Sequence, residues 1–255
     1  MDFISTYHTD VGIKKKTNQD SLFLAEAQSA QGKVFLAVIC DGMGGLSQGE
    51  VASAALARAF QDWFRTELPH LLQEGIASEA LCASWHQLIN GMNTRVLEYS
   101  ALNHVSLGTT VVALLLVEGR FFILNVGDSR VYRFFDALLQ LTKDQTVVQS
   151  EVDRGLLTPE QAQQDSRRNV LLQCVGASTV VEPEFTQGSF EPGSLFMLCS
   201  DGFRHLITPA EFWEALDPGQ EADEQQLYNS IVYLTDMNKY RREEDNISAI
   251  VVKAQ

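Results

Sequence analysis

The chain has 255 residues, 45% of them hydrophobic and 20% charged, the composition of an ordinary globular domain long enough to bury a large core. Its formal net charge of −14 excludes a nucleic-acid backbone as the main partner, because two polyanions repel. The longest apolar runs, 34–40 and 111–117, are far too short to span a bilayer, so no membrane insertion is expected.

The opening Met1-Asp2-Phe3-Ile4-Ser5-Thr6 lacks a basic region followed by an apolar stretch, so no signal peptide is expected. Residues 2–9 and 21–26 read as strands, and 33–40 as a buried strand. Ser47-Gln48-Gly49-Glu50 has the spacing of a capping box. It opens a helix to about residue 64, with Val51, Ala55, Leu56, Ala59, Phe60 and Trp63 on one face. A second helix is predicted over 77–100, where Leu81, Trp85, Leu88, Ile89, Met92 and Val96 recur at spacings of three and four. Runs 109–117, 120–126, 130–134 and 138–142, joined by short turns, read as an antiparallel meander. Residues 144–180 read as short helices at 146–154, 159–164 and 169–174 with polar joints. Thr158-Pro159 and Thr208-Pro209 each supply an N-cap followed by proline at the first helical position. Strands at 180–186 and 194–199, helices at 208–216 and 221–238, and a strand at 246–253 complete the chain. No linker or repeat interrupts it, so one domain is expected. Cys40, Cys82, Cys174 and Cys199 form no Cys-x-x-Cys pair, and reduced thiols in a cytoplasmic protein are expected. The pattern of elements alone indicates an α+β fold.

Aspartates recur at the ends of apolar runs. Asp20 closes Gly12-Ile13-Lys14-Lys15-Lys16-Thr17-Asn18-Gln19-Asp20, and Asp41 opens Asp41-Gly42-Met43-Gly44-Gly45. Asp128 lies in Gly127-Asp128-Ser129-Arg130, Asp201 in Ser200-Asp201-Gly202, and Asp245 precedes Asn246. A strand that ends in Asp and Gly puts a carboxylate at a sheet rim with room for close approach. Several such ends converging would form an oxygen-rich cage suited to Mg²⁺ or Mn²⁺ rather than zinc or copper.

In this order, and with Gly108-Thr109-Thr110 between them, these motifs resemble the bacterial metal-dependent Ser/Thr protein phosphatases of type 2C, over residues 10–252. The resemblance implies a four-layer α/β/β/α sandwich, with two mostly antiparallel central sheets flanked by helices. It implies a single catalytic domain over 1–255 with a flap-like insertion at about 144–180. The activity implied is hydrolysis of phosphoserine and phosphothreonine in proteins by a water activated between two Mn²⁺ or Mg²⁺ ions. Asp41 would bridge both ions, with Asp20 and the Gly42 carbonyl completing one site and Asp201 and Asp245 the other. Asp128 would join Asp201 in a weak third site. Lys15 stands where relatives carry an arginine that grips the substrate phosphate. Asn18 would position its loop, while Gly108-Thr109-Thr110, Ser129 and Arg130 would support the rim. A phosphorylated protein substrate, a cognate Ser/Thr kinase and a monomeric state are the partners implied.

The chain departs from the family pattern at Lys15, at Leu46 and Gln145, where histidine is common, and at His205, where another aspartate is common. His205 reads as a surface residue at a strand-to-helix turn. Arg167-Arg168 reads as a solvated pair. The departures at Lys15, Leu46 and His205 keep open an alternative, a catalytically weak regulatory or phosphoprotein-binding module on the same fold.

Overall fold

Side chains alternate across the central strands and feed separate cores, which is why these runs are apolar at every position rather than at every second one. In β3 (Gly32–Met43), Val34, Leu36, Val38 and Cys40 face one core, and Phe35, Ala37 and Ile39 face another. β5 (Val111–Val117) divides in the same way. The computed structural model describes residues 1–30, 32–43, 48–219 and 223–255.

One sheet has the order β2 (Asp20–Ser29), β3, β5, β6 (Arg120–Val126) and β9 (Glu184–Ser189), with the short β4 (Gly108–Thr109) pairing the end of β3. The other has the order β1 (Phe3–Asp10), β11 (Ile247–Ala254), β10 (Leu195–Cys199), β7 (Arg130–Phe134) and β8 (Leu138–Gln140). All strand pairings are antiparallel. Phe35, Ile39, Leu114, Phe196, Leu198, Ile250 and Val252 fill the space between the sheets.

α1 (Gly49–Thr66), α2 (Leu68–Gln73) and α3 (Ser78–Asn103) cover the outer face of the first sheet through Leu56, Phe60, Trp63, Leu81, Trp85 and Ile89. The short α4 (Val147–Asp153) and α5 (Pro159–Gln164) lie in the 144–180 segment. α6 (Asp201–Arg204) follows β10, and α7 (Pro209–Ala215) and α8 (Glu224–Tyr240) cover the second sheet through Phe212, Leu216, Ile231 and Leu234. The four-layer sandwich is therefore present. Thr158 and Thr208 are both N-caps followed by proline, as their sequence predicts, and each also closes a capping box.

Several local expectations fail. The predicted meander divides: β5 and β6 pair in one sheet, β7 and β8 in the other, and the chain crosses between sheets at Gly127-Asp128-Ser129. A short turn between two strands reads the same whether they pair or part, so the pattern does not reveal the crossing. Residues 169–174 form no helix, because their backbone bonds across the segment instead: Val147 N donates to Val170 O (2.9 Å) and Leu172 N to Gln145 O (2.8 Å). The predicted strand at 180–186 lies at 184–189. The cap of α1 falls on Gln48, in a left-handed conformation without a side-chain cap. Ser47, the expected cap, and Leu46 lie outside the described residues. Val51 is 37% exposed, so the buried face of α1 is centred on Ala52, Leu56 and Phe60 instead.

Candidate metal centre and active site

The register of β2 against β3 sets Asp20 directly opposite Asp41. Two carboxylates facing each other at the end of an antiparallel pair repel and destabilise it unless a cation lies between them. Local bonds hold both in place. Asn18 Oδ1 accepts from Asp20 N (3.1 Å), while Asn18 Nδ2 donates to Thr9 Oγ1 (2.7 Å). Asp41 N donates to Thr110 Oγ1 (3.2 Å), and Asp41 O accepts from Thr110 N (2.9 Å) and Thr109 Oγ1 (3.0 Å). Thr110 Oγ1 also bonds Ser129 Oγ (3.0 Å). Gly108-Thr109-Thr110 and Ser129 thus buttress the rim, as their position in the chain suggests.

Gly42 is required by packing. A Cβ there would meet Gly49 O at 2.4 Å and Gln19 O at 2.5 Å, so only glycine lets the start of α1 and the Asn18 loop close on the strand end. Gly202 plays the same part beside Asp201, where a Cβ would meet Asn246 O at 2.2 Å. Asn246 ties the remaining aspartate to the loop after β1. Its Oδ1 accepts from Gln19 N (2.9 Å), its Nδ2 donates to Val11 O (2.9 Å), and its own N–H donates to Asp245 Oδ1 (2.8 Å). The Asp-Asn pair is thereby a splice between distant segments.

The electrostatics bind these positions into one centre. Burial, with the charges of Asp201 and Asp245, pushes Asp20 up to about 7, and nearby Ser248 and Ser200 hydroxyls soften the rise. Neither hydroxyl closes a hydrogen bond on it, so both Asp20 carboxylate oxygens are buried without a partner, as is Asp201 Oδ1. Asp41 is raised well above the ordinary range by the protein packed around it and by Asp20, Asp201, Asp128 and Asp245. Among the described residues, no three Asp, Glu, His or Cys side chains close on one point as a finished ligand shell. Mg²⁺ and similar hard cations keep several waters and need only one or two carboxylates directly. Orphaned carboxylate oxygens around a shared space fit that donor chemistry, and the residues present fit a divalent cation.

Asp128 has a different environment. It is 3% exposed, and burial and the charge of Asp201 push it up to about 7 while Arg204 pulls it down. Arg204 Nη2 reaches Asp128 O (3.0 Å), Asp128 Oδ2 (3.2 Å) and Asp144 Oδ2 (3.3 Å). Arg130 grips Asp144 with two parallel bonds of 2.7 Å. Burial opposes the charge on Asp144, yet the two guanidinium groups hold it below its ordinary range. Asp128 already has a protein cation, which fits a third ion poorly. No sequence pattern links Arg204 to Asp144; they meet because α6 and the loop after β8 converge. Gln145 supports the same crossing, its Oε1 accepting from Gly127 N (2.8 Å) and Gln173 Nε2 (2.9 Å).

His205 is not a surface residue. Its side chain is 11% exposed, with Nε2 3.7 Å from Asp201 Oδ2 and Nδ1 3.6 Å from Glu243 Oε2. Glu243 Oε1 in turn accepts from Asp245 N (3.1 Å), so His205 and Glu243 link two of the candidate ligands. Lys15 Nζ lies 2.8 Å from Asp245 Oδ1. Burial opposes its charge, but that bond and the fields of Asp41 and Asp201 raise its pKa overall. Lys15 therefore reaches the centre, where it is engaged with a carboxylate. Of the adjacent lysines, Lys14 pairs with Glu244 at the surface. His8, on β1, packs edge-on against Tyr228, the structural role a strand-end residue suggests.

The sequence profile of the family described as Protein phosphatase 2C matches residues 9–232. The serine/threonine phosphatase stp of Listeria innocua is 31% identical over 251 residues, covering 97% of this chain and 94% of the relative. Among solved structures, the S. agalactiae serine/threonine phosphatase superposes with a TM-score of 0.86 at 25% identity, covering all of both chains. The catalytic domain of the serine threonine protein phosphatase PstP, solved in complex with 2 manganese ions, gives a TM-score of 0.78 at 26% identity, with 99% of each chain covered.

Proposed function

This chain belongs to the protein phosphatase 2C family, and we propose that it removes phosphate from phosphoserine and phosphothreonine in proteins at the Asp20–Asp41 rim. The observation that carries the reading is the facing pair Asp20 and Asp41 with buried, unpartnered carboxylate oxygens beside Asp201. The relatives' serine/threonine phosphatase activity supports it.

Asp41, Asp20 and the Gly42 carbonyl would hold one divalent ion, and Asp41, Asp201 and Asp245 the other. Such ions, when bound, lower the pKa of water and offset charge on phosphoryl oxygens. The chain's own part is to fix the donors. Thr109 and Thr110 lock the Asp41 backbone, Asn18 locks Asp20, and Asn246 with Glu243 locks Asp245. Lys15 would bring a positive charge to the substrate phosphate, as a point charge rather than a bidentate fork. Arg204 supplies the positive charge at Asp128 that a third ion would otherwise supply. Manganese in the PstP structure supports Mn²⁺ as one competent ion.

Among the described residues no helix is long and apolar enough to cross a membrane. Our reading includes a cytoplasmic monomer, a flap formed by 144–180 beside the centre, and a Ser/Thr kinase whose products are the substrates. The intact aspartate set weighs against a merely regulatory module. The test is phosphate release from a phosphothreonine peptide with Mn²⁺, with chelator, and after Mn²⁺ is restored. Loss and recovery of turnover is expected; a rate unmoved by chelator would overturn the reading.

A further inference from the structure

A cavity of about 650 Å³ opens beside Asp245. Lys14 and Lys15 wall it from the loop after β1, Arg168 from the 144–180 segment, and Arg241 and Arg242 from the end of α8. Three of these cations are neutralised: Lys14 by Glu244, Lys15 by Asp245 and Arg241 by Glu211. The side chains of Arg168 and Arg242 are exposed and make no hydrogen bond or ion pair among the described residues. Arg167, by contrast, is committed to Glu151 and Asp165, so the Arg167-Arg168 pair has two separate roles. In a chain of net charge −14, two unmatched guanidinium groups beside the reaction centre run against the overall balance.

Arg242 sits at a costly position. Its φ is 70°. The Arg242 N–H donates to Lys239 O (3.2 Å) and the Glu243 N–H to Asn238 O (3.0 Å), the paired bonds that close a helix through a left-handed residue, usually glycine. An arginine here carries backbone strain that glycine would not, and strain retained at the wall of a cleft points to use of the side chain.

We infer that this cavity is a subsite for a second anionic group on the phosphoprotein substrate, a carboxylate or another phosphoryl group a few residues from the phosphoester that is cleaved. The inference rests on the phosphatase reading above. Guanidinium groups take both anions through paired, charge-assisted hydrogen bonds. Asp245 belongs to the same wall and to the candidate metal centre, so one extended peptide can serve both places. A single acidic side chain can be attracted locally, whereas a long polyanion meets the repulsion of the whole surface.

The experiment compares four substrates under Mn²⁺: an aryl phosphate, a phosphothreonine peptide with neutral neighbours, the same peptide with glutamates, and the same peptide with a second phosphothreonine. The wild type should show a KM about tenfold lower for one or both anionic peptides than for the neutral one, with kcat little changed. A gain with glutamate alone identifies a carboxylate, and a gain with the second phosphate alone identifies a phosphoryl group. The preference should shrink in about 0.5 M salt. It should collapse in Arg242→Gly, which removes the charge while suiting the left-handed backbone, and in Arg168→Ala, and it should survive in Arg242→Lys. Equal KM for all three peptides alongside Mn²⁺-dependent turnover would overturn the subsite and leave the phosphatase reading standing. Failure to hydrolyse any of the four would overturn both.

Discussion

Asp20→Asn should make the metal-free protein more stable at alkaline pH while weakening its response to metal. Asp20 is 9% exposed, both its oxygens lack a partner, and burial together with neighbouring carboxylates pushes it up to about 7 from 3.8. Between those values the native state holds a proton that the unfolded state has released. Stability therefore falls as pH rises across that window, and the favourable contribution is complete only below about pH 4. At ~1.4 kcal/mol per pH unit the loss is on the order of 4 kcal/mol by pH 8. Asn carries no charge, so the variant should escape most of it, gaining about 2–4 kcal/mol over wild type in chelator at pH 8. For a chain of this size that is roughly 5–15 °C in Tm. At pH 4 the gap should nearly vanish. Saturating Mn²⁺ should close most of the gap, since an ion at about 100 times its Kd adds ~2.7 kcal/mol to a protein that binds it and less to one that has lost a ligand. Thermal unfolding of both proteins at pH 4 and 8, with chelator or Mn²⁺, makes the comparison. Equal stability at pH 8 in chelator would refute the argument that Asp20 is a destabilising carboxylate kept for a cation.

Other outcomes follow from the same geometry. Lys15→Ala should raise KM for a phosphothreonine peptide more than it lowers kcat, and should tighten Mn²⁺ binding in calorimetry because the ammonium no longer competes for Asp245. Unchanged KM would reduce the lysine to an ion-pair partner. Arg204→Met leaves the buried Asp128 without its cation while Asp144 keeps Arg130, and should cost about 3–5 kcal/mol in chemical denaturation. It should also admit an additional Mn²⁺ in a binding titration, and an unchanged stoichiometry would count against Arg204 as a built-in cation. Arg242→Gly should stabilise the fold by roughly 0.5–1 kcal/mol, the left-handed penalty less the added freedom of the unfolded chain, measured as an upward shift in the denaturation midpoint.

The parts of the site legible in the sequence are those encoded locally. Asp20, Asp41, Asp201 and Asp245 each lie at or close to the end of a strand or the start of an element, and their order along the chain carries the family resemblance. The same holds for the N-caps Thr158 and Thr208, which need only the threonine and the proline after it. What escaped depends on contacts between distant segments. The change of sheet at Gly127-Asp128-Ser129 is invisible in the pattern, because β6 and β7 are joined by a short turn that reads like any hairpin turn. Arg204 lies directly after Ser200-Asp201-Gly202-Phe203, yet its role is set by Asp128 and Asp144, far off in sequence. His205 looked exposed for the same reason: Glu243, which covers it, arrives from the far end of α8.

The central claim is that Asp41 joins the ions that drive hydrolysis, and phosphate release by Asp41→Asn on a phosphothreonine peptide at saturating Mn²⁺ tests it most directly. A fall in kcat on the order of 10²–10³-fold or more is expected, in a protein whose thermal unfolding shows an intact fold. Turnover equal to wild type would contradict it.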